Sequence, residues 1–295
     1  MRKRQPSANL KVLVVALSAG LTILSGSGVF NSDVGAQDGE SPAFTSEFPL
    51  GDCKFRTKGA NRYFILAPGR QLFFDNRNCE DCEELVENRI TVLDETRAIQ
   101  LEIDGRLKTV KTRVVEEFET VDGELAEISR NFFAECEDTR DVYYFGEDVD
   151  IFEDGEVVSH DGAWLAGKNG ARPGIIMPGG AFLLGSRYFQ EIAPDVALDR
   201  AEHVAMGLEI EVPAGDFENC VEVEETTPLD PEELSTKIYC PETGLVIDDD
   251  LELVKIIKGN DDHDERMNRP HFQHHAKKSQ FTRTGSMVRS LLDSL

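Results

Sequence analysis

Apolar and polar residues alternate one by one along much of this chain after position 63. Residues 99–103 read IQLEI, and residues 208–212 read LEIEV. This period of two is typical of β-strands with one buried face and one exposed face. Asp-Gly pairs at 104–105, 122–123 and 154–155 lie between strand-like runs, and they favour tight hairpin turns because both central residues adopt positive φ. The pattern predicts a mainly β fold: an antiparallel meander of about ten to twelve strands that forms a curved sheet or half-barrel.

Residues 159–180 differ from this pattern because they are rich in glycine and proline and carry the single tryptophan. A long loop of this kind is uncommon in a compact domain and is often functional. Two interpretations stay open: an ordered loop that contacts a ligand, or a structural crossover pinned by Trp164 and Ile175–Ile176. The candidates for ligand contact in this loop are Trp164, Lys168, Arg172, Ile175 and Met177. In the β region, residues 79–88 have a pattern compatible with a short helix.

The two ends of the chain differ in character from its centre. Residues 1–36 begin with basic side chains, continue with an apolar run at 12–24 and end in Val-Gly-Ala, which is the order of a secretory signal. The run is shorter than the roughly 20 apolar residues that a membrane span needs, so we expect cleavage after Ala36, with a retained anchor as the alternative. We further expect a flexible linker at 37–54, a β domain at 55–257 and a disordered, basic, His-rich tail at 258–295.

The central part of the chain is strongly acidic. The whole chain has 31 Lys and Arg against 56 Asp and Glu, and 20 of those bases and 50 of those acids lie in residues 37–257. Such a charge repels nucleic acid and anionic membrane surfaces, and it attracts cations and basic proteins. We therefore expect no nucleic-acid partner. No later apolar run is long enough to span a membrane, so we also expect no stable span once the signal is removed. A soluble, self-repelling surface is the simplest interpretation of this charge.

The cysteines point to disulfides. Six cysteines follow the predicted signal, an even number that is typical of exported proteins. A hairpin centred on Asp230 places Cys220 opposite Cys240, at a spacing that suits a disulfide. Cys79 and Cys82 form a C-x-x-C surrounded by acidic residues; these raise thiol pKa values, so we expect a structural bridge there rather than a redox site, with a metal site as the alternative. The remaining candidates for disulfides are Cys53 and Cys136.

Catalytic and metal-binding signals are weak. Asp148, Asp150 and Asp154 are candidate calcium ligands, but their spacing fails the EF-hand pattern, which requires oxygen ligands at positions 1, 3 and 5. His160 and His203 are the histidines of the β region that stand beside an acid. Neighbours along a strand point to opposite faces, so neither pair is a ready catalytic dyad. We assign no catalytic residue and expect no cofactor.

Residues 143–257 resemble a family of secreted bacterial proteins that has no assigned activity. The resemblance rests on the stretches YYFGEDVDIFEDGEVVSHDGAW, NGARPGIIMP, YFQEIAPDVALDRAE, VPAGDFENC and IYCPETGLV. It implies no catalytic residues. More distantly, the antiparallel pattern with its late PETGLV hairpin resembles the LolA-type lipoprotein-carrier fold, in which a half-barrel covers an apolar cavity. The resemblance implies a LolA-like or lipocalin-like half-barrel, and a lipid-carrying role follows from it only by analogy.

Our leading functional hypothesis is an exported, non-enzymatic binding or carrier protein for an apolar or amphipathic ligand. It requires a concave surface lined by inward-facing aliphatic and aromatic side chains. A structural or protein-interaction module, with a protein partner and a filled core, is the first alternative. A hydrolase is the second, and it requires His160 or His203 beside a carboxylate and a nucleophile at a pocket floor.

Overall fold

The computed structural model describes residues 43–59 and 61–259 of the chain. Within these residues the chain forms one 3-10 helix, Leu50–Asp52, and sixteen strands. The strands are β1 (Phe55–Arg56), β2 (Gln71–Asp75), β3 (Val86–Ile103), β4 (Arg106–Val121), β5 (Glu124–Cys136), β6 (Val142–Glu153), β7 (Glu156–Ser159), β8 (Trp164–Leu165), β9 (Arg172–Met177), β10 (Arg187–Phe189), β11 (Glu191–Ile192), β12 (Arg200–Val212), β13 (Gly215–Thr226), β14 (Ser235–Cys240), β15 (Gly244–Asp248) and β16 (Leu251–Ile257).

The strands form one antiparallel sheet that is nearly closed into a barrel. Thirteen of the strands in the described part of the chain follow one hydrogen-bonded path, in the order β10-β12-β13-β14-β15-β16-β2-β3-β4-β5-β6-β9-β11. The two ends of this path, β10 and β11, are separated in sequence by Gln190 only. The segment 187–192 therefore pairs with β12 through one half and with β9 through the other. The predicted mainly β, curved antiparallel sheet is confirmed.

The Asp-Gly pairs form the predicted hairpin turns. Asp104 and Gly105, which join β3 to β4, have φ values of 52° and 70°. The pairs at 122–123 and 154–155 also have positive φ at both residues, 52° and 82° in the first and 53° and 79° in the second. They join β4 to β5 and β6 to β7. The described residues contain more strands than the ten to twelve expected, because β1, β7, β8, β10 and β11 have only two to four residues each. Alternation cannot be recognised over so few positions.

Two local expectations change when the fold is known. Residues 79–88 form no helix in the structure, since a disulfide joins Cys79 to Cys82 and β3 begins at Val86. Residues 159–180 contain β8 and β9, and both strands pair with β6. The composition of this segment predicted a loop, but the backbone groups of β8 and β9 take part in the sheet.

Buried side chains form a large core inside the barrel and a smaller core beside it. The large one includes Phe132, Phe133 and Tyr144, and the smaller one includes Phe74 and Leu253. In residues 99–103 the three apolar side chains are buried and the two polar ones are exposed, as the alternation predicts. In 208–212 the two glutamates are exposed, Val212 is buried, and Leu208 and Ile210 are half-buried against the smaller core.

The described residues before β1 lie against the sheet. Thr45 donates its N–H to the carbonyl of Arg187 and accepts the N–H of Phe189, both at 2.9 Å. A disulfide joins Cys53 to Cys136 at the end of β5. These contacts hold residues 43–54, which belong to the predicted linker. The predicted signal, residues 1–36, and the predicted tail beyond Gly259 lie outside the described residues.

Candidate functional site

A cavity of about 100 Å³ lies among the inward-facing side chains of the barrel. Most of its wall is apolar, and the apolar residues come from β2, β3, β4, β5, β9, β14 and β15 and from the segment that connects β1 to β2. These residues are Tyr63, Phe64, Ile65, Leu72, Ile90, Val92, Val115, Phe133, Ile176, Tyr239 and Leu245. The expected lining of aliphatic and aromatic side chains is therefore present.

The polar part of the cavity follows from the register of three neighbouring strands. Glu117 on β4 lies opposite Ser129 on β5, and Asn131 on β5 lies opposite Glu147 on β6. Because every second residue of a strand points to the same face, Ser129, Asn131 and Phe133 all face the cavity. The sheet thus places one carboxylate on each side of β5, which carries a hydroxyl and an amide between them.

Hydrogen bonds connect these polar groups. The side-chain amide of Asn131 donates to Glu117 Oε1 at 3.3 Å and to Ser129 Oγ at 3.2 Å. The hydroxyl of Tyr144, which is fully buried, donates to the amide oxygen of Asn131. Glu147 Oε1 is buried and has no hydrogen-bond partner among the described residues. Asn131 is therefore the centre of a network that leaves one carboxylate oxygen open to a further donor.

A second polar group approaches the cavity from β13, β14 and β15. Lys237 on β14 forms an ion pair with Asp248 on β15, and its Nζ lies 3.8 Å from Glu225 Oε2 on β13. The amide of Gln190 donates to Glu225 Oε1 at 2.6 Å. Gln190 is the residue at which the barrel path closes. The closing segment therefore contributes to the polar part of the site as well as to the sheet.

Burial shifts the titration of these carboxyl groups. Burial and the neighbouring Asp248 together raise the pKa of Glu117 to about 7, against the opposing effects of Lys237 and Asn88. Burial also raises the pKa of Glu225 to about 7, although Lys237 and Gln190 counteract it. The pKa of Glu147 lies well above its ordinary value, again chiefly because of burial. The interior is thus rich in carboxyl groups that lose their protons reluctantly.

The segment between β1 and β2 is anchored by one buried asparagine. Asn61 accepts the N–H groups of Tyr63 and Phe64 at 2.8 and 3.1 Å. Its amide donates to the carbonyls of Arg140 and Pro178 at 2.9 and 3.1 Å. Asn61 therefore fixes the segment that brings Tyr63, Phe64 and Ile65 into the cavity wall. No sequence motif marks this role.

The candidates in the 159–180 segment do not line the cavity. Trp164 is buried and packs edge-on against Tyr144, with ring centroids 5.2 Å apart. It therefore contacts the tyrosine that donates to Asn131, and it does not contact the cavity itself. Met177 is buried, Ile175 is half-buried, and Lys168 is exposed. Arg172 is exposed and forms an ion pair with Glu47. Within this segment, as the structure describes it, Ile176 is the residue that reaches the cavity wall.

The two histidines also lie away from the cavity wall. The Nδ1 of His160, an exposed residue, lies 2.8 Å from the carbonyl oxygen of Val149 and 2.9 Å from Asp150 Oδ1. His203 is buried, its Nε2 contacts the Tyr188 hydroxyl at 2.9 Å, and burial lowers its pKa to about 4. Neither residue provides the histidine beside a carboxylate at a pocket floor that the hydrolase alternative requires.

The three acidic residues considered as calcium ligands make separate contacts and do not form one site. Asp148 forms an ion pair with Arg97, Asp150 contacts His160, and Asp154 is part of a hairpin turn. In residues 43–59 and 61–259, one group of three potential metal ligands converges within 4.8 Å, and it consists of Cys79, Cys82 and Asp250. Its two sulfurs are joined to each other in a disulfide.

The described residues contain three disulfides: Cys53–Cys136, Cys79–Cys82 and Cys220–Cys240. Cys220 pairs with Cys240 across β13 and β14, where Val221 lies opposite Tyr239. This register is the one expected for a hairpin centred on Asp230. Disulfides of this kind persist in oxidising compartments. Among the described residues, no helix has both the length and the apolar character that crossing a membrane requires.

Comparisons of the chain with protein-family models, with curated proteins and with solved structures found no match. The resemblances to a secreted bacterial family and to the LolA-type fold therefore stay predictions. Functional interpretation depends on the geometry of the barrel.

Proposed function

We propose that this protein is an extracytoplasmic, non-enzymatic binding or carrier protein for a small amphipathic ligand. The observation that carries the proposal is the cavity itself, which combines apolar walls with buried polar groups on β4, β5, β6 and β13. Ligand sites in proteins typically combine a mostly apolar concave surface with a few polar groups that fix orientation. The apolar wall would hold the hydrocarbon part of the ligand, and the polar groups would hold its head.

The size of the cavity limits the ligand. An engineered apolar cavity of about 150 Å³ holds a benzene molecule. The cavity of about 100 Å³ therefore favours a molecule of roughly benzene's size or smaller, rather than a complete lipid. The analogy with LolA-type lipoprotein carriers therefore concerns the fold and does not extend to a lipid ligand.

The cavity also favours the binding role over the two alternatives. An interaction module would have a filled core, whereas this core contains a cavity lined by Phe133, Ile176 and Tyr239 among others. A hydrolase would need His160 or His203 at the pocket, and both lie outside the cavity lining of the described chain. The predicted signal at residues 1–36 and the disulfides support export to the periplasm or beyond the cell.

Native mass spectrometry tests the proposal on protein recovered from the exported fraction, before and after organic extraction. We expect a low-mass adduct that extraction removes. The variant Ile90→Phe adds a ring at the cavity wall and should abolish the adduct, because the added atoms occupy ligand space. Leu107→Phe is the matched control, since Leu107 is exposed at the β3–β4 turn, and it should keep the adduct. A bare mass for the unmodified chain, or equal adducts in both variants, would contradict a ligand in this cavity.

A further inference from the structure

The acidic and basic groups of the cavity do not balance. Its lining contains four carboxyl groups, on Glu117, Glu147, Glu225 and Asp248, and two basic groups, on Arg70 and Lys237. The side chain of Lys237 forms ion pairs with Asp248 and Glu225. The Nη2 of Arg70 donates to the carbonyls of Glu242 and Thr243 at 3.3 and 2.7 Å. Two carboxyl groups, those of Glu117 and Glu147, therefore form no ion pair within residues 43–59 and 61–259.

Another buried carboxylate of the same sheet shows how this chain satisfies such a group. Glu135 on β5 is fully buried, and it accepts hydrogen bonds from the guanidinium of Arg56 and from the N–H of Asn61. Arg140 lies 3.6 Å away from the same carboxylate. Buried charges in proteins are usually paired in this way. Glu117 and Glu147 lack such bases among the described residues, and they differ from other unpaired buried carboxyl groups, such as those of Glu119 and Glu191, in that they line the cavity.

Unpartnered acceptor oxygens accompany these carboxylates. Glu147 Oε1, Gln190 Oε1 and Asn88 Oδ1 have no hydrogen-bond partner in the described part of the chain, and their residues are only 2%, 0% and 4% exposed. The amide of Gln190 donates to Glu225, and that of Asn88 interacts with Glu117. Each amide thus uses its N–H on a cavity carboxylate and leaves its carbonyl oxygen open. Buried acceptors left in this state favour a donor. Of the three residues, Glu147 lines the cavity, whereas Asn88 and Gln190 contact carboxyl groups that line it.

The geometry disfavours a bare metal ion as the partner of these acceptor oxygens. The one convergent group of three metal ligands in the described residues, Cys79, Cys82 and Asp250, contains none of the cavity carboxyl groups. An ammonium group carries several N–H donors and can bridge acceptors that are farther apart than the ligands of one ion. Aromatic faces such as those of Phe133 and Tyr239 in the wall also attract organic cations.

We infer that the cavity binds a small organic cation, with its ammonium group between Glu117 and Glu147 and its apolar stem against the wall that includes Phe133. This inference rests on the proposed binding function and names the class of the ligand. The carboxyl groups supply acceptors for the head, and a bound ammonium group favours their ionised form, which adds charge. The aliphatic and aromatic side chains cover the stem. The overall negative charge of the chain, formally −25, also draws cations toward the protein.

An NMR titration of the full chain with three probes of matched shape tests the inference. The probes are n-butylammonium, 1-butanol and butyrate, which share a stem and differ in the charge of the head. We expect n-butylammonium to bind about tenfold more tightly than 1-butanol, since hydrogen bonds to charged groups are the stronger ones. Butyrate should produce no shifts at the cavity residues because carboxylates repel it.

Two variants locate the cation. Glu147→Gln and Glu117→Gln keep the shape of the side chain and remove its charge, so each should weaken n-butylammonium binding about tenfold and leave 1-butanol binding within about twofold. Glu102→Gln, at an exposed position of β3, is the matched control and should change neither. Equal affinity for n-butylammonium and 1-butanol would overturn the cation inference and leave the proposed binding function standing. If none of the three probes shifts the cavity residues, the cation inference fails, while the native mass measurement judges the binding function separately.

Discussion

Lys237 is the residue on which the polar interior most depends. Burial by itself lowers the pKa of Lys237, but Asp248 and Glu225 raise it well above its ordinary value, so the side chain is charged. Its removal would leave two buried carboxyl groups without their cation. Breaking a buried ion pair by removing one partner typically costs about 3–5 kcal/mol. We therefore expect Lys237→Met to lower the free energy of unfolding by about this amount at pH 8.

The loss should be smaller at pH 5, because the carboxyl groups freed by Lys237→Met take up protons and become neutral. Urea unfolding at the two pH values measures both losses. Lys111→Met is the matched control, since Lys111 is exposed on β4, and it should cost little at either pH. A loss for Lys237→Met no larger than that of the control would contradict a structural ion pair.

At the scale of single residues, the sequence predicted a specific contact only where the position of one cysteine in a hairpin determines the position of its partner. The register of one hairpin was enough to pair Cys220 with Cys240. The cavity carboxylates had no such signal, because residues 116, 117 and 119 of β4 are all glutamates. The structure places Glu117 in the cavity lining and neither Glu116 nor Glu119. A pattern of identical residue types cannot show that choice.

At the scale of elements, alternation predicted the strands that have one face in water. Residues 99–103 alternate cleanly because their polar face is exposed. In β6 the first six residues, 142–147, are all buried, so both faces contact protein and the period of two disappears. The segment after it resembled a loop because of its glycine and proline content, although its strands β8 and β9 pair with β6.

The disulfides should stabilise the elements that they join according to the length of chain that they close. Cys53–Cys136 spans 83 positions and ties the residues before β1 to β5, whereas Cys79–Cys82 spans 3. In the chain-entropy account, loops of these lengths correspond to about 4.5 and about 2 kcal/mol. We expect the double variant Cys53→Ala with Cys136→Ala to lose roughly twice the stability lost by Cys79→Ala with Cys82→Ala. Urea unfolding under oxidising conditions compares them, and equal losses would be evidence against this ranking.

At the scale of the whole molecule, closure of the barrel was beyond what local patterns predict. It depends on pairs such as β16 with β2, in which Leu253 lies opposite Phe74, and on the bend at Gln190 between β10 and β11. Short hairpins carry turn signals in the sequence, but pairing between distant segments carries none. The predicted curved sheet was therefore confirmed, while the enclosed cavity and its carboxyl groups required the structure.

Carboxyl groups in and around the cavity also affect how the stability of the whole molecule depends on pH. Burial, together with Glu127 and Glu117, raises the pKa of Glu119 to about 8, and burial raises that of Glu127 to about 7. Glu117 and Glu225 have pKa values of about 7 as well, against 4.5 without the fold. The folded chain therefore binds more protons than the unfolded chain between about pH 4.5 and 8. Stability is fully present below the unfolded pKa and is lost as pH rises through the folded values.

We therefore expect the free energy of unfolding to fall as pH increases from 5 to 8, by about 1.4 kcal/mol per pH unit for each proton that only the folded state retains. Many proteins show the opposite trend on the acidic side, because their carboxylates are paired. Urea unfolding at pH 5, 6, 7 and 8 measures the slope. Glu119→Gln removes one retained proton and should flatten the slope, whereas Glu102→Gln, at an exposed position, should leave it unchanged. Stability that increases from pH 5 to 8 would mean that the interior carboxyl groups are ionised and stabilised by partners, since protonated groups cannot give that sign.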